Sequence, residues 1–487
     1  MARSLVFLLA GLVAAPAASQ VIEVKSVPVA SGDQFLVLPS ATLGMGSVAL
    51  AMDDSLADPW TNPAQGVFIA APALLGAPTF YGISDDGGNG RTLPVAGFFR
   101  GGRWFGGAAI AFQQIDNTAD RNDWIWIRPV AWWGGGQPRL SDASNRNLYA
   151  QGFVGARLGD GPWSLGLGFS GASLDAVDGV DLLYANAEDI RQSGTTGDVR
   201  VGLYRQGARD RLGILLVHNR VSMTHDVTYV DIVWDSVSRM PKARERVEVN
   251  EDRSRTWGAQ ATWDRDLNAP GWRLGTLATV NRKSHPKIPN YEIQNIPRDP
   301  GTTWAWEGGI GLSRRRGPTQ FGLDVVLQPI WSDTWQEADE DVKTTHGETI
   351  RAGERTIENK FFFTNVILRT GFAYDVGPAT VQAGVEVRSY DYSLEQRDHV
   401  QATFREQDET WTEWSPTLGA VFRLSDVELR YAGRLTTGTG QPSVVATPQA
   451  TAAREALTDF IIAPEAPLTL QDATVMTHQL SVRIPIR

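Results

Sequence analysis

The sequence predicts an all-β fold, an antiparallel transmembrane β-barrel of 14–16 strands that holds an N-terminal helical plug. Three observations predict it: a secretory signal opens the chain, apolar and polar residues alternate along many segments, and short turns alternate with long polar connections from residue 79 onward. Bacterial outer-membrane barrels combine tight periplasmic turns with longer extracellular loops. The expected location is therefore the bacterial outer membrane.

The signal is a basic start at Arg3, an apolar stretch over residues 5–13 and small residues over 15–19. The best later candidate for a membrane-spanning helix, residues 67–77, is short and contains Pro72. We therefore expect a signal peptide over residues 1–19, a plug or hatch over 20–77 and the barrel over 78–487.

Composition restricts the possible functions. The 487 residues include no cysteine, which excludes a lipoprotein anchor, a disulfide framework and thiolate metal sites. A formal net charge of -10 argues against a general affinity for nucleic acid. Glycine (49) and tryptophan (17) are plentiful although the mean hydropathy is -0.21. A barrel whose apolar outer surface is diluted by a polar lumen and polar loops has this balance.

The plug begins with an apolar stripe at helical spacing. A short helix with one buried face is predicted, because the stripe falls at i, i+3, i+7 and i+11. Its members are Met45, Val48, Met52 and Leu56.

The residues around this stripe predict how the helix starts and stops. Gly44 and Gly46 allow a close backbone approach near its start. Asp58-Pro59 and Asn62-Pro63 are expected to end it, since the residue before a proline avoids the α conformation.

Residues 35–64 also carry a family resemblance. The motif consists of Gly44, Met45, Gly46, Asp53, Asp54, Asn62, Pro63 and Ala64. It resembles the N-terminal hatch of the FadL superfamily of outer-membrane proteins, and the preceding residues 35–39 resemble the PorV-type branch. The resemblance implies a barrel of fourteen strands that passes long-chain fatty acids or other hydrophobic compounds when its hatch shifts.

The turns give a strand count of their own. Seven short turns, a first strand near residues 79–84 and a last near 474–486 add up to sixteen strands. The turns lie at 101–102, 159–162, 206–210, 267–271, 316–318, 376–378 and 425–426. The long connections between them include 116–146, 233–252, 332–358 and 438–472.

Alternation within the strands separates a lipid face from a lumen face. Val381, Ala383, Val385 and Val387 share one face of a predicted strand, for example, and Gln382, Gly384, Glu386 and Arg388 share the other. Tryptophans near the predicted strand ends indicate interfacial girdles. These are Trp104, Trp163 and Trp272 beside tight turns, and Trp304, Trp306, Trp331, Trp411 and Trp414 toward the long loops.

The lumen face carries a set of charges. Its members are Arg369, Glu386, Arg388, Arg423, Glu428, Arg430 and Arg434. The turn geometry sets Arg369 opposite Glu386 and Arg423 opposite Glu428. We interpret them as ion pairs that stiffen the wall and contact the plug; the alternative is a constriction or a carboxylate site near Arg430 and Arg434.

No catalytic or metal-binding pattern is present in the sequence. The six histidines are scattered without ligand spacing, and no nucleophile motif accompanies them. We therefore expect neither an enzyme nor a cofactor. The leading hypothesis is an outer-membrane transporter for hydrophobic small molecules, surrounded by outer-membrane lipid. Two alternatives stay open: a PorV-like binding or shuttle component that engages secretion-machinery proteins, and a general porin.

Overall fold

The computed structural model describes residues 21–22, 24–25, 28, 30–84, 87–116, 144–177, 189–235, 240–285, 301–338, 340–442 and 470–486. In this part of the chain, antiparallel strands hydrogen-bond in sequence order and the last strand returns to the first, which closes a barrel. Within the same ranges, no helix has the length and apolar character needed to cross a membrane.

The strands, in chain order, are β1 Ala73–Gly76, β2 Thr79–Ile83, β3 Asn89–Gly101, β4 Trp104–Asp116, β5 Ser144–Arg157, β6 Trp163–Leu174, β7 Asp189–Gln206, β8 Asp210–Asp235, β9 Met240–Asp266, β10 Trp272–His285, β11 Gly301–Arg316, β12 Thr319–Glu337, β13 Val342–Lys343, β14 Thr349–Ile350, β15 Arg355–Val376, β16 Ala379–Asp398, β17 Thr403–Arg423, β18 Glu428–Pro442 and β19 Leu470–Pro485. Strands β13 and β14 pair with each other between β12 and β15, outside the barrel wall.

The first wall strand is built from two pieces. Both β1 and β2 lie between β3 and β19: Leu75 faces Ala96 and Arg483, and Thr79 faces Thr92 and Gln479. The pieces are separated by Ala77-Pro78, where the proline has no N–H to donate. Counted as one strand, they make the wall sixteen-stranded. The count from the turns is confirmed, the fourteen implied by the family resemblance is not found, and the wall starts at Ala73, ahead of the expected boundary at 78.

The seven predicted short turns all connect neighbouring wall strands, but one predicted long connection is wrong. Residues 233–252 are not a loop, because β8 and β9 stay paired from Asp210 opposite Arg265 to Asp235 opposite Met240. The stretch is rich in charged residues, which are typical of a solvated loop. A hairpin that extends past its neighbouring strands is solvated on both faces, so it can carry the same charges.

The outward face of the wall is apolar, as predicted. Leu418 is 65% exposed, whereas Thr417 beside it is 3% exposed. Val381, Leu167 and Phe422 are also about half exposed and share the outward face of their strands. An antiparallel barrel with an apolar outer band is the architecture of bacterial outer-membrane proteins.

Most of the predicted girdle tryptophans lie on this outward face. Trp104, Trp304, Trp306, Trp331 and Trp414 are 44–53% exposed. The girdle position predicted for Trp411 is wrong. Trp411 packs with inward-facing aromatic residues, because it shares the strand face of Glu413 and Ser415, which point into the lumen.

Residues 30–70, here called the N-terminal segment, pack against inward-facing side chains of the wall. Trp60 meets the Phe153 ring edge-on at 4.9 Å between centroids and lies 5.4 Å from Phe98. Farther along the strand of Phe153, β5, Val37 packs with Tyr149. The apolar residues of this segment therefore share a core with the barrel, instead of forming one of their own.

The helix predicted over this segment is wrong. The structure has a 3-10 turn at Leu43–Met45, helix α1 at Asp58–Thr61 and a 3-10 helix at Pro63–Phe68. Gly46 (φ 67°) and Ser47 (φ 59°) are left-handed, which interrupts a right-handed helix.

Pro59 and Pro63 start helical turns and do not end a helix, contrary to the prediction. Pro59 lies in the first turn of α1 and Pro63 in the first turn of the following 3-10 helix, because a fixed φ and a missing N–H suit that position. The predicted burial is confirmed nonetheless: Met45, Val48 and Met52 pack together with Ala373 of the wall.

Candidate functional site

The motif glycines place the N-terminal segment directly on the wall. A Cβ added to Gly46 would lie 2.6 Å from the Val385 carbonyl oxygen, and one added to Gly44 would lie 2.7 Å from the Gly419 Cα. The wall is glycine there too: a Cβ on Gly371 would lie 2.0 Å from the Met45 carbonyl oxygen. Backbone meets backbone at this contact, as the sequence predicted for Gly44 and Gly46.

The second half of the motif rests on the opposite side of the lumen. The Asn62 carboxamide oxygen accepts from the Ala64 N–H (3.1 Å) and caps the 3-10 helix. Its nitrogen donates to the Ile214 carbonyl at 3.3 Å. A Cβ on Gly166 of the wall would lie 2.4 Å from the Pro63 carbonyl carbon.

The two motif aspartates have separate tasks. Buried Asp54 accepts from the Ser40 hydroxyl (2.6 Å) and from the N–H groups of Ala41 (2.8 Å), Leu56 (3.0 Å) and Ala57 (3.1 Å). It therefore joins the two ends of residues 40–57.

Asp53 points away from the segment and pairs with the wall. Its carboxylate lies 2.6 Å from the Arg211 guanidinium and 3.0 Å from that of Arg273.

Further contacts anchor the N-terminal segment to the wall. Arg434 donates to the Asp33 carboxylate, which also accepts from the Thr477 hydroxyl at 2.5 Å. Asp324 of the wall accepts from the Ala49 and Leu50 N–H groups at 2.7 and 3.2 Å. Sequence reasoning placed Arg434 in the lumen but did not identify its partner, because a contact between residues 401 positions apart leaves no local signal.

The predicted wall pairs form. Arg369 lies opposite Glu386, with Nε 2.5 Å from the carboxylate, and Arg388 contacts the same carboxylate at 2.9 Å. One buried glutamate therefore serves two arginines, and the flanking strands place Asp324 opposite Arg369 and Glu413 opposite Arg388.

The second predicted pair is separate from the first. Arg423 lies opposite Glu428 at 3.5 Å, and Arg430 approaches Glu428 at 2.8 Å. These residues adjoin the short turn at 425–426, and Arg423 is half exposed. The seven predicted lumen charges thus divide between the Glu386 cluster, the Glu428 cluster and the Arg434 contact with the N-terminal segment.

A cavity of about 1400 Å³ lies between the N-terminal segment and the inner wall. Part of its wall is aromatic: Phe361, Phe363 and Tyr390 line it, together with Ile22. Arg388 also lines the cavity, two residues from Tyr390.

An aromatic cluster supports this part of the cavity. Its members are Phe361, Phe363, Tyr390, Tyr392 and Trp411. Tyr390 stacks on Trp411 at 4.8 Å, and Phe363 lies 5.3 Å from Tyr392. The sequence analysis missed this cluster, although aromatic residues two positions apart on a lumen-facing strand face are a readable signal.

Asp58, which also lines the cavity, has a perturbed acidity. Burial raises the pKa of its carboxyl group well above the ordinary 3.8, and the nearby Asp54 carboxylate raises it further. The backbone hydrogen bond from Asp54 and the Arg211 charge act in the opposite direction.

No protein-family model and no curated protein matches the sequence. Solved structures are similar in fold at low identity. A Pseudomonas aeruginosa FadL homologue is 12% identical with a TM-score of 0.45, and the match covers 94% of this chain and 100% of that one. The Ralstonia pickettii toluene transporter TbuX is 10% identical with a TM-score of 0.40, over 92% and 97%. The ferric-catecholate import receptor Fiu of E. coli is 8% identical with a TM-score of 0.38, over 85% and 82%.

Proposed function

We propose that this outer-membrane barrel is a channel for hydrophobic compounds, with the N-terminal segment as its hatch. The observation that carries the proposal is the cavity inside the lumen with Phe361, Phe363 and Tyr390 on its wall. An apolar compound leaves water favourably when it meets aromatic side chains in a concave site. The aromatic cluster lies in the half of β15 and β16 that is farther from the short turn at 376–378, so in an outer-membrane barrel with periplasmic short turns it faces compounds arriving from outside the cell.

The charges beside the cluster favour hydrophobic acids, such as long-chain fatty acids, within this class. Arg369 and Arg388 share the single carboxylate of Glu386. Arg388 lines the cavity beside Tyr390, so the head of a fatty acid can pair with it while the chain contacts Phe361 and Phe363.

The contacts of the N-terminal segment are compatible with a hatch that moves. Asp53 is 59% exposed where it pairs with Arg211 and Arg273, and an exposed ion pair contributes about 1 kcal/mol or less. Releasing such contacts with the wall requires no unfolding of the barrel ladder, because the wall strands pair with each other independently of the segment.

The test is ligand binding to purified protein, with oleate and methyl oleate as probes. The Phe361→Ala/Phe363→Ala double variant is expected to bind both probes at least about tenfold more weakly, since losing about 1.4 kcal/mol of apolar contact gives a factor of ten. The matched control is Phe362→Ala, which lies between them, is 41% exposed and faces lipid. Arg388→Gln is expected to weaken oleate binding but leave methyl oleate binding unchanged.

Three results would contradict the proposal. If Phe362→Ala lost as much binding as the double variant, the loss would reflect general destabilisation of the barrel and not a contact with the ligand. Large steady conductance of the full-length protein in planar bilayers would indicate a porin. Absence of binding to either probe, together with co-purification of secretion-machinery subunits, would favour the PorV-like role.

A further inference from the structure

An aromatic row marks the outer surface of the barrel at the long-connection end. Going around the wall, His218 lies opposite Trp257, Trp257 opposite Arg282, Arg282 opposite Trp304, and Trp304 opposite Trp331. His218 stacks on Trp257 with ring centroids 4.1 Å apart. Outward tryptophans at this level belong to the boundary between lipid tails and headgroups.

Three arginines gather at one place on this boundary. Arg220 and Arg255 lie directly opposite each other, one step beyond the aromatic row. Directly opposed residues on one strand face have Cβ atoms about 5 Å apart. Arg282 lies in the row itself, with its guanidinium 5.8 Å from the Trp304 ring centre. Arg220, Arg255 and Arg282, here called the girdle arginines, are all exposed.

Among the residues that the structure describes, none supplies a carboxylate counterion to the girdle arginines. In the described part of the chain, no carboxylate lies within 4 Å of any of them, whereas nearby Arg253 pairs with Glu251 at 2.6 Å. Their neighbours on the flanking strands are Gly197 beside Arg220 and Ser284 beside Arg255. Like charges directly opposed across strands are destabilising unless an anion joins them.

We propose that the girdle arginines bind the phosphate groups of a phosphorylated glycolipid in the outer leaflet. The guanidinium group suits phosphate, because it donates two parallel hydrogen bonds and remains charged at any physiological pH. The patch continues into the lipid-facing belt, where Leu216 and Ile214 of the same strand are 54% and 39% exposed. A lipid whose acyl chains cover these residues places its headgroup at the level of the arginines. This site is outside the barrel and does not depend on the proposed channel function.

The experiment uses the full-length protein in detergent and native mass spectrometry with added bis-phosphorylated lipid A. The Arg220→Gln/Arg255→Gln/Arg282→Gln variant is expected to retain at least about tenfold less lipid A than the wild type. The matched control is Arg103→Gln/Arg314→Gln/Arg316→Gln, which removes the same charge at the short-turn end. There Arg103 lies over Trp104 and Arg314 over Trp272, at 5.5 and 5.1 Å. Heat-modifiable electrophoretic mobility verifies that each variant is folded.

Two further arms separate the possible sources of the phosphate. Dephosphorylated lipid A is expected to bind the wild type weakly, at the level at which lipid A binds the triple variant. Inorganic phosphate at millimolar concentration is expected not to compete with lipid A for the wild type. The proposal is overturned if the girdle variant keeps wild-type retention, if the control loses as much, or if dephosphorylated lipid A binds equally. Competition by inorganic phosphate would assign the site to the free anion and likewise overturn the lipid assignment.

Discussion

Asp53 and Asp54 are neighbours in the sequence, yet they hold the N-terminal segment in different ways. Asp54 is 4% exposed and its two oxygens accept four hydrogen bonds from within the segment. Asp53 is 59% exposed and bonds to wall arginines. Water cannot easily reach the donors that Asp54 satisfies, whereas it can solvate the partners of Asp53. Loss of Asp54 should therefore destabilise the segment more than loss of Asp53.

Asp54→Ala is therefore expected to loosen the segment far more than Asp53→Ala. The first change strands the N–H groups of Ala41, Leu56 and Ala57, and a buried unpaired donor costs about 1–3 kcal/mol. Hydrogen exchange of residues 40–57 should accelerate at least about 30-fold, which corresponds to about 2 kcal/mol. The second change removes exposed ion pairs and should alter exchange by less than about fivefold. Equal effects of the two changes would refute this division.

Asp58 predicts a pH dependence of the same segment. Its folded-state pKa is raised, so the folded state holds a proton that the unfolded segment has released between pH 3.8 and the raised value. The docked segment therefore loses stability as pH rises through that window, and below pH 3.8 the contribution is constant. Protection factors for residues 54–68, corrected for intrinsic exchange, should fall across the window. Asp58→Asn should flatten this dependence and raise protection at pH 7; a dependence that survives the substitution would assign it to another group.

At the scale of elements, glycine decides where the segment can touch the wall. Gly371→Ala would bring a Cβ within 2.0 Å of the Met45 carbonyl oxygen, so residues 43–47 must move. Overpacking of this kind typically costs about 1–3 kcal/mol. Exchange of residues 43–47 should rise roughly tenfold or more while the barrel keeps its heat-modifiable mobility.

The control for this change is another wall glycine. Gly308→Ala adds a Cβ to strand β11 at a position with no atom within 4 Å. It removes the same backbone freedom without a clash, and should leave residues 43–47 unchanged. If both alanines accelerate exchange alike, strand stability and not the contact with Met45 is the cause.

The strands could be predicted from the sequence and the conformation of the plug could not, because a pattern of apolar residues reports which side chains are buried or face lipid. Alternation such as Val381 to Val387 reports which face meets lipid, and each turn is local, so Arg369 could be set opposite Glu386 by counting from 376–378. The stripe from Met45 to Leu56 reports burial equally well. It does not report conformation, because these side chains pack against the wall and need no helix to bring them together.

The contacts that anchor the N-terminal segment to the wall also could not be predicted from the sequence. The Asp33 pairing with Arg434 depends on how far the segment reaches across the lumen, which no local pattern encodes. The same holds for the girdle arginines, since Arg220 and Arg255 become neighbours through the β8–β9 hairpin, whose far part the sequence predicts as a loop. Register across the whole hairpin was needed to see them together.

At the scale of the whole molecule, the N-terminal segment should determine conductance. Barrels of sixteen strands leave an aqueous channel when empty, and here residues 30–70 occupy that space. A chain lacking residues 21–68 keeps the complete wall from Ala73 onward. It is expected to show large steady conductance in planar bilayers, whereas the full-length protein remains closed. If both conduct alike, the segment does not block the lumen.

The divided first strand has a consequence for biogenesis. The contact that closes the barrel joins residues 400 positions apart: the Gln479 side chain donates to the Thr79 hydroxyl. Every other wall pairing joins strands that follow each other around the wall in sequence order, so we expect this joint to form last. The N-terminal segment leads directly into β1, which forms one side of this joint. We therefore expect residues 30–70 to enter the lumen during assembly before β19 pairs with β2, because the closed ladder would then surround them.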